Sequence, residues 1–400
     1  MAILAPISRT RSGAVVCVAV ILGAIWITAP ALADPALRAP PFMLRVSDHR
    51  PGPPAPSCGA PPAPVRGLEL KTVYRTDTEQ QRARYDEVDP AELDTYRKQV
   101  AGLHQYQFEL TKRVDSYMRT GNGAVAACVL DWLAAWAAAD AMLAPMSQQG
   151  RFEAKWHAAS MCLGFLKISA AAGLAQDKLA VVRPYLLRLG RAARDGNHAD
   201  GRPAADMATD DVIAHNNHAY WAGLAAAACA IAGNDRSLLD WGVAQYRMAM
   251  EDVTPEGFLP LEIVRGTRAL GYHAMSLDAL VMLAELADAN GQRPYDAAGG
   301  ALHRLVATVA GGYRDPRPFA QASGSPQDSN ASFADYYLSW AELYRARFGS
   351  TRVPELQQIL TARRPVGHRF LGGDVTLMLA AAGNDQALYR VSLNKTHKAD

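Results

Sequence analysis

Apolar residues recur at intervals of three and four along most of this chain. Leu103, Tyr106, Leu110, Val114 and Tyr117 make one such stripe, the mark of a helix with one face turned inward. Comparable runs at 124–144, 151–171, 179–194, 217–232, 236–250, 266–289, 298–311, 332–347 and 354–362 predict roughly ten helices from Pro90 onward. Helix breakers separate them, among them Thr120-Gly121-Asn122-Gly123, Asp195-Gly196-Asn197, Gly233-Asn234-Asp235, Pro255-Glu256-Gly257 and Asn290-Gly291. Alternation of period two is never sustained, so strands should be few. Short breaks suit antiparallel hairpins, and broad faces rich in alanine suit helices packed on both sides. The pattern alone fits a bundle, a solenoid or a closed toroid. Longer connections at 144–152, 195–211 and 312–331 are where function tends to sit.

Ahead of the helices the pattern changes twice. A short basic start precedes the apolar run from Ala14 to Thr28, and Ala31-Leu32-Ala33 supplies small residues before Asp34. Residues 1–33 therefore read as a secretory signal peptide cut after Ala33. Residues 34–66 are proline-rich and read as extended coil tethering the domain. A single helical domain is expected over 67–385, with a tail at 386–400. No later run reaches about 18 apolar residues without charge, so a soluble mature chain is expected, without a membrane anchor after cleavage.

Export changes the reading of the cysteines, because exported proteins form disulfides. Cys17 leaves with the signal. Cys58 sits in the proline-rich segment, where a bridge would hold it down, and Cys128 is its nearest partner in sequence; whether they pair stays open. Cys162 and Cys229 lie in Ala-rich helices and read as buried free thiols. There is no CxxC spacing.

Charge narrows the ligand classes. The chain has 41 Lys+Arg and 39 Asp+Glu, a formal net charge of +2. Arg9 and Arg11 leave with the signal, so the mature chain is formally neutral. That excludes a generally basic nucleic-acid binder, and any anionic ligand must be held by a local cluster.

Two stretches concentrate polar and aromatic groups. In His215-Asn216-Asn217-His218-Ala219-Tyr220-Trp221, an asparagine can cap the following helix while Trp221 packs in the core. A helix mouth does not need two amides and two imidazoles for that purpose, and Asn217, His218 and Trp221 share a helical face. The two histidines lack a third partner for a metal. In Arg265-Gly-Thr-Arg268-Ala-Leu-Gly-Tyr272-His273, helical spacing puts Arg265, Arg268 and Tyr272 on one face. A solvated face would explain that as well, but a guanidinium beside a phenol favours phenolate and would make Tyr272 a general base. Asp210-Asp211 with Glu262 could form a glycosidase carboxylate pair or belong to a solvated loop.

At these stretches the sequence resembles the poly(mannuronate) lyases of polysaccharide lyase family 5. The matching strings are NNHAYW at 216–221, GFLP at 257–260 and RGTRALGYH at 265–273. CVLDWLAAWAAADAM at 128–142, KWHAASMCLGFLKI at 155–168, FLGGDVT at 370–376 and PSCGAPPAPVRGLEL at 56–70 are similar too. The resemblance spans about residues 55–380.

The resemblance implies an all-α fold, an incomplete (α/α) toroid of antiparallel hairpins. It also implies β-elimination of a linear polyuronate by a periplasmic monomer, with no metal or organic cofactor. Asn217, His218, Arg265 and Tyr272 match the family's catalytic group. Tyr74 resembles the tyrosine of its mobile lid, near 70–86, and Arg97 an arginine contacting substrate carboxylate. Trp221 would line sugar subsites, and Arg268, His273 and Lys71 complete the expected substrate-binding set. Val73 stands where the family commonly has a lysine, with Lys71 two residues earlier.

The chemistry accounts for these residue types. Asn217, with Arg265 or His218, would hydrogen-bond the uronate carboxylate and stabilise the enolate-like dianion. Tyr272 is the expected base toward H5 and acid toward O4, which lie on one ring face in mannuronate, with His218 stabilising charge or sharing the base role. Polymannuronate is the expected substrate. Polyglucuronate, another polyuronate, or non-catalytic polysaccharide binding within an export complex are the alternatives.

Overall fold

The computed structural model describes residues 35–46, 57–84, 87–197, 215–328, 335–349 and 351–381. The expected signal peptide, residues 47–56, Asp210-Asp211 and the expected tail lie outside them. In chain order the helices are α1 (Glu79–Arg84), α2 (Pro90–Thr120), α3 (Gly123–Ala138), α4 (Gln148–Ile168), α5 (Gln176–Asp195), α6 (Asn217–Gly233) and α7 (Arg236–Asp252). They continue with α8 (Pro260–Ile263), α9 (Ala269–Asp288), α10 (Ala301–Arg314), α11 (Arg317–Ser323), α12 (Ser339–Phe348), α13 (Glu355–Arg363) and α14 (Val375–Ala381). Two-residue strands, β1 (Gly367–His368) and β2 (Gly373–Asp374), pair antiparallel.

Side-chain caps set the helix starts. Asp89, Asn122, Ser147, Asn216 and Asp235 each accept a hydrogen bond from a backbone N–H in the first turn that follows. Asn234 closes α6 in the left-handed region at φ 59°, and Asp235 immediately caps α7, so two residues reverse the chain. The apolar run expected over 124–144 stops as a helix at Ala138, because Asp140 and Met142 take positive φ values of 50° and 57°. The chain then lies against the proline-rich segment, with Met142 N–H donating to the Val65 carbonyl at 2.8 Å and Ala144 N–H to Arg66 at 3.0 Å. Trp132 and Trp136 also donate their indole N–H groups to the carbonyls of Gly59 and Pro62.

Each helix packs on its successor and then on the next but one: α2 on α3 and α4, α3 on α5, α4 on α5 and α6. At the far end α14 packs on α12 and on α2, bringing the described end of the chain back to its first long helix. The result is an incomplete (α/α) toroid. Helix α6 is buried on every side by α4, α5, α7 and α9. A helix without a solvent face must be apolar all round, and its alanines let four neighbours approach closely. At the α6–α7 crossing Gly223 faces Gly242: a Cβ on Gly242 would sit 2.6 Å from the Gly223 carbonyl oxygen.

Cysteine pairing differs in part from expectation. Cys58 bridges Cys128. Cys162 and Cys229, read as free thiols, are bridged as well. Periodicity placed both in apolar helices but carried no information on which helices touch. In the fold α4 lies against α6, with the two Cα atoms 5.1 Å apart, within bridging range. No helix among the described residues is long and apolar enough to cross a membrane.

Candidate active site

The N-terminus of α6 separates the two asparagines by task. Asn216 is the cap, its Oδ1 accepting from His218 N–H at 2.9 Å. Asn217, 1 % exposed, is held by a carboxylate from α8. Glu262 Oε1 accepts the backbone N–H of Asn217 at 2.7 Å and its Nδ2 at 3.0 Å, and Oε2 lies 3.2 Å from Nδ2. The amide nitrogen expected to meet the substrate is thus engaged within the protein, and Oδ1 is the buried atom without a hydrogen-bond partner.

Arg265, Arg268 and Tyr272 come together, though not on one helix. Gly266 at φ 58° opens a 3-10 turn over Gly266–Arg268, and Tyr272 belongs to the first turn of α9. Both guanidinium carbons nevertheless lie 5.1 Å from the centre of the Tyr272 ring. Arg265 Nε is 3.7 Å from Glu262 Oε2, so one buried carboxylate touches both Asn217 and Arg265.

Tyr74 joins this group from the lid. Its hydroxyl accepts a hydrogen bond from Arg268, whose guanidinium carbon lies 5.0 Å from the Tyr74 ring centre. The segment expected to be a lid is pinched at its base, where Asp89 N–H donates to the Val73 carbonyl at 2.9 Å and Arg75 N–H to the Glu87 carbonyl at 2.8 Å. The segment between carries α1.

The protonation of Tyr272 runs against the sequence expectation. Burial pushes its phenol up to about 12 and Tyr74 adds to the rise, while Arg268 and Arg265 pull the other way without prevailing. The arginines act in the expected direction, but desolvation of a phenolate outweighs them. His218 moves oppositely. Burial, Lys155 and Arg265 hold its imidazole well below the usual value, so it is neutral at neutral pH. Its ring stacks on Phe152 at 3.7 Å, and Lys155 Nζ donates to its carbonyl at 2.9 Å.

Four expected substrate contacts are placed elsewhere. Trp221 is fully buried, tilted against His368 and edge-on to Phe370, one turn below the helix mouth, and lines no surface. His273 is also fully buried: Nδ1 lies 2.8 Å from the Ala269 carbonyl, and Nε2 accepts Leu259 N–H at 2.9 Å. Both nitrogens therefore serve the backbone. Arg97 and Lys71 are exposed, and among the described residues no hydrogen bond or ion pair ties them to the arginine–tyrosine group.

Glu262, Phe152 and Lys155 were not expected in the site. Sequence gives the helix of Phe152 and Lys155 but not which helices meet, and Glu262 falls between two expected helices. A second missed group lies on α2 and α4. Glu153 accepts from Tyr96 OH and lies 3.1 Å from His104 Nε2, with the buried His157 one turn further along α4. His104, Glu153 and His157 offer ligand atoms within 4.8 Å of one another. Glu153 is shared between Tyr96 and His104, so a metal would have to displace those contacts; the Nδ1 contact of His157 to the Glu153 carbonyl leaves its Nε2 without a hydrogen-bond partner among the described residues.

A sequence model of the family described as alginate lyase matches residues 73–319. A polysaccharide lyase of Stenotrophomonas maltophilia is 35% identical over 298 residues, covering 73% of this chain and 83% of that protein. An alginate lyase of Pseudomonas aeruginosa is 31% identical over 333 residues, covering 82% and 86%. Among solved structures, a variant of alginate lyase A1-III complexed with tetrasaccharide superposes with TM-score 0.69 at 25% identity, covering 82% of this chain and 87% of that one. Sequence, fold and the arginine–tyrosine site agree, and this chain belongs to the alginate lyase family of polysaccharide lyases.

Proposed function

We propose that the protein is a periplasmic polyuronate lyase that cleaves the 1,4 bond of polymannuronate by β-elimination, leaving a 4,5-unsaturated uronate end. The observation that carries this reading is the pair of guanidinium groups over Tyr272, with neutral His218 sharing the field of Arg265. A polyuronate needs its carboxylate charge met before the adjacent C5 proton becomes acidic enough to leave. Arg265 supplies that charge. Asn217 Oδ1 accepts from a substrate hydroxyl or from the carboxyl group once it carries a proton.

Proton transfers follow from the resting states. His218 holds no extra proton and takes H5; Tyr272 holds its proton and gives it to O4 as the glycosidic bond breaks. This division replaces the single-residue role expected from sequence, because a phenol held near 12 is an acid before it is a base. The periplasmic location is supported by the N-terminal pattern at 1–33 and by two disulfides, which persist in oxidising compartments.

Ultraviolet absorbance of the mature protein with polymannuronate, polyguluronate, polyglucuronate and hyaluronan, each separately, tests the reading. A rise with polymannuronate above the others is expected, because elimination creates a double bond conjugated to the carboxylate and hydrolysis does not. A rise only with another polymer would reassign the substrate. Binding without any rise would mark a polysaccharide-binding protein instead.

A further inference from the structure

We propose that Glu262 is the positioning residue of this site, one buried carboxylate that fixes the amide of Asn217 and the guanidinium of Arg265 relative to each other. This role rests on the lyase reading above. Glu262 comes from α8, a four-residue helix, whereas Asn217 opens α6, 45 residues earlier, and Arg265 follows α8 by two residues. Among the described residues no backbone hydrogen bond joins Asn217 directly to Arg265; Arg265 N–H donates to the Glu262 carbonyl at 3.3 Å, and the Glu262 carboxylate makes the link to Asn217.

The donor arithmetic makes the role specific. An ionised carboxylate only accepts, so the amide facing it must present Nδ2, and Oδ1 is turned to the other side. Two N–H donors of Asn217 converge on Oε1, at 2.7 and 3.0 Å, which fixes both where α6 begins and how its first side chain is rotated. Oε2 faces Arg265 Nε at 3.7 Å. Glu262 is itself fully buried, so no water competes for these contacts. The two bonds from Asn217 are charge-assisted, stronger and more directional than neutral ones, while Arg265 is held by ion pairing at 3.7 Å.

A positioning role has a distinct chemical signature. Glu262→Gln keeps the shape and can keep its oxygen on the two Asn217 donors, but it puts an NH2 group where Oε2 stood, against Asn217 Nδ2 at 3.2 Å and the Arg265 guanidinium, which pushes both side chains out of place. A small misplacement in a catalytic constellation costs about 10²-fold in rate. Ground-state attraction of the anionic polymer to Arg265 is not reduced, since the opposing carboxylate charge has gone.

The experiment is steady-state kinetics on the polymer turned over by the wild-type protein, with thermal melting of each variant. E262Q should lose about 10²-fold in kcat with KM changed less than about threefold. N217A/E262Q should be worse than N217A by less than about tenfold, well short of the loss in E262Q alone, because most of the effect of Glu262 runs through Asn217. Losses that multiply in the double variant, or an E262Q enzyme with near-normal kcat, would overturn the role. If E262Q melts too low to assay, the inverted pair N217D/E262Q, which restores one amide against one carboxylate, should melt higher and turn over about tenfold faster than N217D. An inverted pair no better than N217D would also overturn it. A wild-type protein giving no absorbance rise on any polyuronate would instead remove the lyase reading itself, and the positioning role with it.

Discussion

Arg268 donates to the hydroxyl of Tyr74 while its guanidinium lies 5.0 Å from that ring's centre and 5.1 Å from the centre of the Tyr272 ring. One side chain thus joins Tyr74 to Tyr272. Tyr74→Phe removes the hydrogen bond and keeps the ring. It should lower kcat/KM about tenfold, within the range for a hydrogen bond to a charged group. Steady-state kinetics would show it, and an unchanged kcat/KM would mean that lid closure does not depend on this contact.

Tyr272→Phe should reduce kcat by about 10²–10⁴-fold, the usual contribution of a positioned acid. Polymer binding should persist, because both arginines and the ring remain. Turnover by absorbance and binding by calorimetry, on one polymer, separate the two effects. Near-normal turnover would take Tyr272 out of the chemistry.

The pH dependence of kcat/KM reports the free protein. Activity needs His218 unprotonated, and its depressed value places the acid limb below about 6.5. It also needs Tyr272 protonated, and a phenol at about 12 keeps the alkaline limb beyond pH 10. A plateau across neutral pH is expected. A rate climbing steadily between pH 7 and 10 would show instead that the phenolate is the base.

The buried bridge between Cys162 and Cys229 closes a loop of 67 residues. Replacing both with alanine should destabilise the fold by about 2–4 kcal/mol, lowering the melting temperature by several degrees. A variant that melts with the wild type under oxidising conditions would show that the bridge adds nothing.

Substrate affinity should fall as salt rises, because Arg265 and Arg268 meet an anionic polymer partly open to solvent. Titrations at two ionic strengths would measure it. Affinity independent of salt would assign binding to uncharged contacts.

The helical fold was legible because its cause is local: the spacing of apolar residues and breaks such as Asn234-Asp235. The grouping of Asn217, His218, Arg265 and Tyr272 came from motif strings, and the structure brings them together. What sequence could not carry was depth and contact between helices. Trp221 shares a face with Asn217, yet one turn of helix separates the residue that meets Glu262 from one packed against His368 and Phe370. His273 follows Tyr272 directly, but the helix turns it onto the backbone of Leu259 and Ala269. Glu262 had only a hydrolytic reading, since nothing local says that α8 meets the start of α6. The Tyr272 phenol was misjudged because spacing counts charges and not the loss of water.

Helix α6 has one further consequence. The helix that presents Asn217 and His218 is also the axle of the fold, with no side facing solvent. Engineering for stability and engineering for activity therefore act on a common object. Enlarging any of its alanines would tilt or slide the axle, and the two residues at its tip would move with it. A mutational scan of Ala222–Ala232 should find loss of turnover arriving together with loss of folding, leaving little room for variants that change one alone.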